Sequence, residues 1–197
     1  MNAKGDIVIV GVGGQGIVLA STLISDAALR AGCDVKSNEV HGMAQRGGSV
    51  MAHVRFAREV HSPLVEKGRA DLLIAMEIAE GLRHAEYLSR DGLAIVSTQR
   101  IIPVTVSSGG ATYPRDPEGA ARSLFNRLFF ADCMRIAGEL GNPRVVNSIL
   151  VGCASNHLPF PAAAWDATFR AVLPARILDV NLKAFEKGRG LRQEHRL

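Results

Sequence analysis

No apolar run in this chain approaches the roughly 20 residues that cross a bilayer, and the opening MNAKGDIVIV has no long apolar core of the kind a signal peptide carries. These absences predict a cytoplasmic protein with no membrane partner. Cysteine is scarce: Cys33, Cys133 and Cys153 stand far apart. Without a C-x-x-C pair or a four-cysteine spacing, neither a zinc site nor an iron–sulfur cluster held by this chain alone is expected. The odd count argues against a secreted disulfide framework, so all three read as buried, reduced thiols. Aromatic residues are few, at 5%, and charged residues make up only 21%, with a net charge of +4. That excess is too small, and too little interleaved with aromatics, to point to nucleic acid. Part of it sits in the tail KAFEKGRGLRQEHRL (183–197), whose last residues, 191–197, are expected to form a flexible basic terminus.

What is present is apolar and periodic. Hydrophobic residues make up 47% of 197, enough for one core, and a single domain over 1–190 is the expectation. DIVIV (6–10) is a short β-branched run that reads as a buried strand. After Gly16 the period changes: Ile17, Ala20, Ile24, Ala27 and Ala31 fall on one helical face, and Gly32 stops the helix. DVKSNEV (34–40) and SVMAHVRFA (49–57) read as strands two and three. DLLIAME (71–77) and LAIVS (93–97) read as two more, separated by a helical stretch over 78–92. NRLFFADC (126–133) reads as a sixth strand, and MRIAGEL (134–140) as a helix. In GNP (141–143), Gly141 ends that helix, Asn142 caps the next and Pro143 takes its first position. Residues 103–119 read as a surface excursion. Alternating strands and helices predict a three-layer, Rossmann-like α/β domain with a mostly parallel sheet and a helical C-terminal extension.

Two loops carry the chemistry. GVGGQG (11–16) joins the first strand to the first helix. Gly11 and Gly13 allow a sharp turn and close approach of backbone N–H groups, Gly16 permits tight packing of helix on strand, and the helix N-terminus suits phosphate. The string matches the dinucleotide fingerprint G-x-G-x-x-G in its required context. A nicotinamide cofactor also wants an acidic residue at the end of strand two, for which Glu39 is the nearby candidate. Gln15 places an amide at the turn that can serve a ligand or a neighbouring loop. The second loop, HGMAQRGGSV (41–50), should lie at the same sheet edge, because ligands in such folds bind at the carboxyl ends of the strands. It offers the Arg46 guanidinium, the Gln45 amide, the soft apolar Met43, and Gly42, Gly47 and Gly48 for close backbone approach. That mixture suits a ligand or partner with both phosphate and apolar parts. His41 is a candidate acid or base, and equally a residue that orders the loop or contacts a partner. His53, Met76 and Glu77 read as packed side chains, although Glu77 at a strand end can face the ligand edge.

Four stretches together resemble the gamma-type domain of the 2-oxoacid:ferredoxin oxidoreductases, in particular the beta subunit of the indolepyruvate branch: GVGGQG (11–16), EVHGMAQRGGSV (39–50), SPLVEKGRADLLIAMEIAEGLR (62–83) and GNPRVVNSILVG (141–152). The resemblance implies a heteromeric enzyme that converts an aryl pyruvate and coenzyme A to acyl-CoA, carbon dioxide and reduced ferredoxin. Thiamine diphosphate and the iron–sulfur clusters are implied in a larger catalytic partner subunit, with coenzyme A as co-substrate, ferredoxin as acceptor and nothing held by this chain alone. It places Gly11, Gly13, Gly14, Gln15, Gly16, Met43, Gln45, Arg46 and Gly47 at the shared site, with this chain inactive, and able to self-associate, without its partner. Two other functions stay open at this point: a free-standing NAD(P)-dependent oxidoreductase, and a docking module without catalysis of its own.

Overall fold

The computed structural model describes residues 3–41, 47–102 and 112–191. Six strands form one sheet in the order β2-β3-β1-β4-β5-β6. They are β1 (Gly5–Val12), β2 (Asp34–His41), β3 (Ser49–Ala57), β4 (Ala70–Ala75), β5 (Leu88–Ser97) and β6 (Leu128–Ala131). β1, β4, β5 and β6 run parallel, and β3 alone is antiparallel to both of its neighbours, β1 and β2. The sheet is therefore mostly parallel, as expected. Its second strand, however, does not touch the first, because β3 returns through a hairpin and lies between them.

The apolar run of β1 is buried on both faces, as a central strand must be. Ile7 and Ile9 join the larger core, beneath α1 (Ile17–Arg30), α4 (Cys133–Glu139), α5 (Val146–Ser155), α6 (Ala162–Val172) and α7 (Ala175–Arg189). Val8 and Val10 join the smaller one, beneath α2 (Ile78–Arg83) and α3 (Pro117–Leu124). Two helical layers around one sheet give the three-layer α/β architecture.

The C-terminal helices belong to the larger core. All ten residues of α5 are buried. A Cβ on Gly152 would fall on the Phe185 carbonyl oxygen, and one on Gly188 on the Ile149 carbonyl oxygen, so the α5 and α7 backbones meet without side chains between them. Phe160, Trp165, Phe169 and Phe185 stack around that crossing, with ring centroids 4.8 to 5.7 Å apart.

Two elements differ from the sequence expectation. The helix expected over 78–92 ends at Arg83, a 3₁₀ turn spans Ala85–Tyr87, and β5 begins at Leu88. The register of β4 against β5 shifts between Ala70 and Leu72, and at Gly92 any Cβ would meet the Ala70 carbonyl oxygen at 2.7 Å. A glycine at such an irregularity marks close backbone approach, and the polar LSRDG segment gives no alternation to betray a strand. In the expected excursion over 103–119, residues 103–111 lie outside the described residues, and α3 begins at Pro117. Asp116 caps α3 by accepting from Gly119 N at 2.9 Å. Asp-Pro-Glu is a helix-start signal the sequence does carry. Asn142 caps as expected, accepting from Arg144 N at 3.0 Å with Pro143 next in line. Among the described residues, no helix is long and apolar enough to cross a membrane.

Candidate functional site

The carboxyl ends of β1, β2, β4 and β5 share one sheet edge, and both loops singled out by the sequence leave from it. β1 pairs with β3 out to Val12 and Ser49, and β2 pairs with β3 out to His41 and Val50. Gly13 N then donates to the Gly48 carbonyl at 2.9 Å, so the glycine turn and the end of the second loop are joined backbone to backbone. Gly42, Met43, Gln45 and Arg46 lie outside the described residues, as does the His41 side chain. Gly47 adopts φ 73°, and Gly48 carries the link.

Within the turn the glycines divide their roles differently from the sequence expectation. The left-handed backbone falls at Gly14 (φ 101°) and Gly16 (φ 81°), not at Gly11 or Gly13. Gly14 is exposed, and a Cβ there would meet nothing within 4 Å, so its conformation and not crowding calls for glycine. Gly11 and Gly16 are sites of close packing. A Cβ on Gly11 would lie 2.7 Å from Gln15 Oε1 and 3.0 Å from Met76 Cβ; one on Gly16 would lie 2.5 Å from Asn147 Nδ2. Gly16 thus packs against the start of α5, where Asn147 is buried and spends its Oδ1 on Ser148 N at 2.8 Å. Asn147 enters the site unsignalled by the sequence, because only the fold brings α5 to the turn.

α1 starts at this point with no side-chain cap and no acidic residue in its first turn. Its leading N–H groups have no intrahelical partners by geometry, and the helix dipole adds partial positive charge. Val18, in the same turn, is 44% exposed and gives an apolar flank to a polar donor set.

Gln15 binds the edge together. Its Oε1 accepts from Val12 N at 2.7 Å, and its Nε2 donates to the Met76 carbonyl at 2.9 Å and to Gln99 Oε1 at 3.0 Å. Both N–H groups serve neighbouring loops, so one amide connects the ends of β1, β4 and β5.

A second set of buried groups lies behind. Glu77 is 1% exposed. One of its oxygens caps α2 by accepting from Glu80 N at 2.9 Å; the other accepts from Ile101 N at 3.2 Å and Tyr113 Oη at 2.5 Å. Burial and the hydrogen bond to that carboxylate raise the Tyr113 pKa well above the ordinary phenol range. Glu80, also buried, accepts from Ser49 Oγ, and His84 Nε2 and Arg83 Nε lie 3.6 and 3.4 Å from its carboxylate. Desolvation pushes its pKa up, but hydrogen bonds from His84 and Ser49, with the Arg83 charge, win and hold it below the usual carboxylate value. Ser49 is the first residue of β3, so Glu80 anchors the point where the second loop enters that strand. His53 is packed, as expected: its Nδ1 accepts from Val65 N at 3.2 Å, and burial, with the nearby His84, lowers its pKa.

A cleft of about 630 Å³ opens at the opposite edge, where the parallel strands begin. Arg55 and Asp6 are paired at 2.7 Å across it, and Asp71 accepts from Asp6 N. None of Gly11, Gly13, Gly14, Gly16, Gly47 or Gly48 lines it. The convergent donors lie at the carboxyl edge, and the candidate site is there.

Fold and edge together define a class: an α/β domain with a doubly wound sheet in which a hairpin strand separates the first two parallel strands and carries a second loop to the glycine turn. More particularly, the chain belongs to the pyruvate ferredoxin/flavodoxin oxidoreductase family, whose model matches residues 6–191. It is 41% identical over 187 residues to an indolepyruvate oxidoreductase subunit IorB of Archaeoglobus fulgidus, covering 93% of this chain and 92% of that one. To the IorB subunit of Pyrococcus horikoshii it is 42% identical over 188 residues, covering 93% of each. Among solved structures, a keto/oxoacid ferredoxin oxidoreductase gamma subunit from Geobacter sulfurreducens matches with TM-score 0.68 at 19% identity, over 93% of this chain and 95% of that one. A 2-oxoglutarate:ferredoxin oxidoreductase from Magnetococcus marinus, with 2-oxoglutarate, coenzyme A and succinyl-CoA bound, matches with TM-score 0.72 at 19% identity. The match covers 96% of this chain and 31% of that longer one. The family resemblance read from the four sequence blocks is thereby shown.

Proposed function

We propose that this chain is the non-cluster subunit of a thiamine-dependent indolepyruvate:ferredoxin oxidoreductase, and that its carboxyl edge supplies part of the coenzyme A site where it meets a larger catalytic subunit. The observation that carries this is the Gly13–Gly48 backbone bond. It sets the second loop beside an uncapped helix N-terminus free of acidic side chains. The similarity to IorB subunits over nine-tenths of both chains supports the aryl-pyruvate branch, and coenzyme A in the Magnetococcus enzyme supports the co-substrate.

Thiamine diphosphate and the iron–sulfur clusters, bound in the partner, supply charge stabilisation during decarboxylation and the electron path to ferredoxin. The cysteines of this chain, all three buried and free, do not fit a cluster. Burial pushes the Cys153 thiol up to about 12 and the Cys133 thiol higher still, with Cys153 adding to the latter. A protonated, enclosed thiol is a poor cluster ligand. The part left to this chain is binding and orientation. The first turn of α1 receives a phosphate, Arg46 of the second loop adds a fixed charge, and Met43 with Val18 offers contact to the apolar arm. Gly14 keeps the approach open, while Gln15 and the Ser49–Glu80 pair hold the two loops in place.

The nicotinamide alternative loses support from the sheet order. β3 stands between β1 and β2, which puts Glu39 two strand spacings, roughly 10 Å, from the line of β1. Its Oε1 accepts from Ser21 Oγ at 2.9 Å.

The test is kinetic. In the complex reconstituted from purified subunits, Arg46→Ala is expected to raise the apparent KM for coenzyme A by about tenfold or more, the worth of one charge-assisted hydrogen bond, and to leave the KM for the oxoacid unchanged. An unaltered coenzyme A KM removes the assignment.

A further inference from the structure

The hydrogen bonds around Gln15 fix the polarity of a second amide. Val12 N can only donate, so the Gln15 atom facing it at 2.7 Å is the oxygen. The Met76 carbonyl can only accept, so the atom facing it at 2.9 Å is the nitrogen. Two independent partners thus agree on one orientation. The same nitrogen reaches Gln99 at 3.0 Å, and what it meets there must be an acceptor, Gln99 Oε1. The Gln99 nitrogen is therefore left over. No described residue accepts from it, although the backbone on which it sits is held on both sides. Gln99 N donates to Ser97 Oγ at 3.2 Å, and Ile78 N donates to the Gln99 carbonyl at 3.2 Å. An exposed glutamine with nothing to bind keeps its side-chain rotamers free. This one is half-buried and fixed beside the glycine turn, with a pair of donors on which no described residue draws.

We infer that Gln99 Nε2 is a specificity-determining donor of the carboxyl edge, giving a hydrogen bond to an acceptor oxygen of the ligand that lies on the glycine turn. The inference rests on the coenzyme A reading above. Coenzyme A carries two kinds of such oxygen, those of its phosphates and the amide carbonyls of its arm, and either kind suits a neutral N–H donor. Gln15 acts one step back, as the positioning residue that turns the Gln99 amide nitrogen outward.

The test is Gln99→Glu in the reconstituted complex. A carboxylate still accepts from Gln15 Nε2, so the inner bond survives, while the outward atom changes from donor to charged acceptor. The expected result is at least a tenfold rise in the KM for coenzyme A, with the oxoacid KM within twofold of wild type. If the partner is a phosphate, the rise shrinks with added salt; if it is the amide carbonyl, it persists. Gln99→Met, which removes the donor without adding charge, is expected to raise the same KM about threefold, and decides the matter if the Glu variant does not assemble. An unchanged coenzyme A KM in these variants, beside a raised one in Arg46→Ala, overturns the Gln99 inference alone. Unchanged values in all three overturn the coenzyme A reading as well.

Discussion

His53 and Glu80 lie in the same neighbourhood, yet acid should reach them in sequence. The folded pKa of His53 is depressed below its ordinary 6.5, mainly by burial. In the interval between the two values the unfolded chain holds the extra proton, so its contribution to stability is intact above pH 6.5 and lost as the pH falls toward the folded pKa. Glu80 is depressed below 4.5, so its contribution survives to that point and is lost only in stronger acid. The melting temperature should therefore fall between pH 7 and pH 5.5. His53→Gln, which keeps an acceptor for Val65 N, should lose most of that fall, the remainder coming from the exposed His157, whose pKa is also lowered. An equal fall in the variant, measured by calorimetry, would remove His53 as the cause. At this scale the sequence was a partial guide. Residue type and strand position told that His53 is packed. Nothing local told that Glu77 clasps Tyr113, 36 positions away, or that Gln15 spends both N–H groups on its own chain.

Among the elements, the crossing of α5 and α7 is the most demanding. Because a Cβ at Gly152 would coincide with a backbone oxygen, no side-chain rotation relieves it, and the helices must separate. Gly152→Ala is expected to cost about 1–3 kcal/mol, the usual range for overpacking. Urea unfolding should show a lower midpoint at unchanged slope, and a midpoint equal to wild type would contradict the packing described. Segments with strong periodicity or caps were legible: β1, α1, β2 and β3 as separate strands, and the Gly141-Asn142-Pro143 junction. The first half of β5 was not, since a strand that starts polar and passes an irregularity at Gly92 has neither alternation nor an apolar run. α3 was missed for another reason: its Asp116 cap and Pro117 were present but lie at the end of a stretch rich in glycine and proline.

For the whole molecule, strand order is the property least visible in the chain. The sequence placed both loops on one edge, which the Gly13–Gly48 bond bears out, but it assumed neighbouring strands where β3 in fact intervenes. Hydrophobic patterning selects which face of a strand is buried, not which strand lies beside it. Two outcomes belong to this scale. The isolated chain should show no turnover with indolepyruvate, coenzyme A and ferredoxin, and turnover should appear on adding the larger subunit; activity of the chain alone would overturn the proposed division of labour. NADH titrated into the isolated chain should give no saturable energy transfer from Trp165, the single tryptophan, in the micromolar range.

The second loop is mounted chiefly by main-chain atoms, two antiparallel strands and one amide-to-carbonyl bond at Gly13 and Gly48, with the Ser49–Glu80 hydrogen bond beside them. Side chains on the loop can therefore be exchanged without shifting the place from which they reach out. On the proposed reading, changing the preferred cargo would need new residues in the loop and no new scaffold.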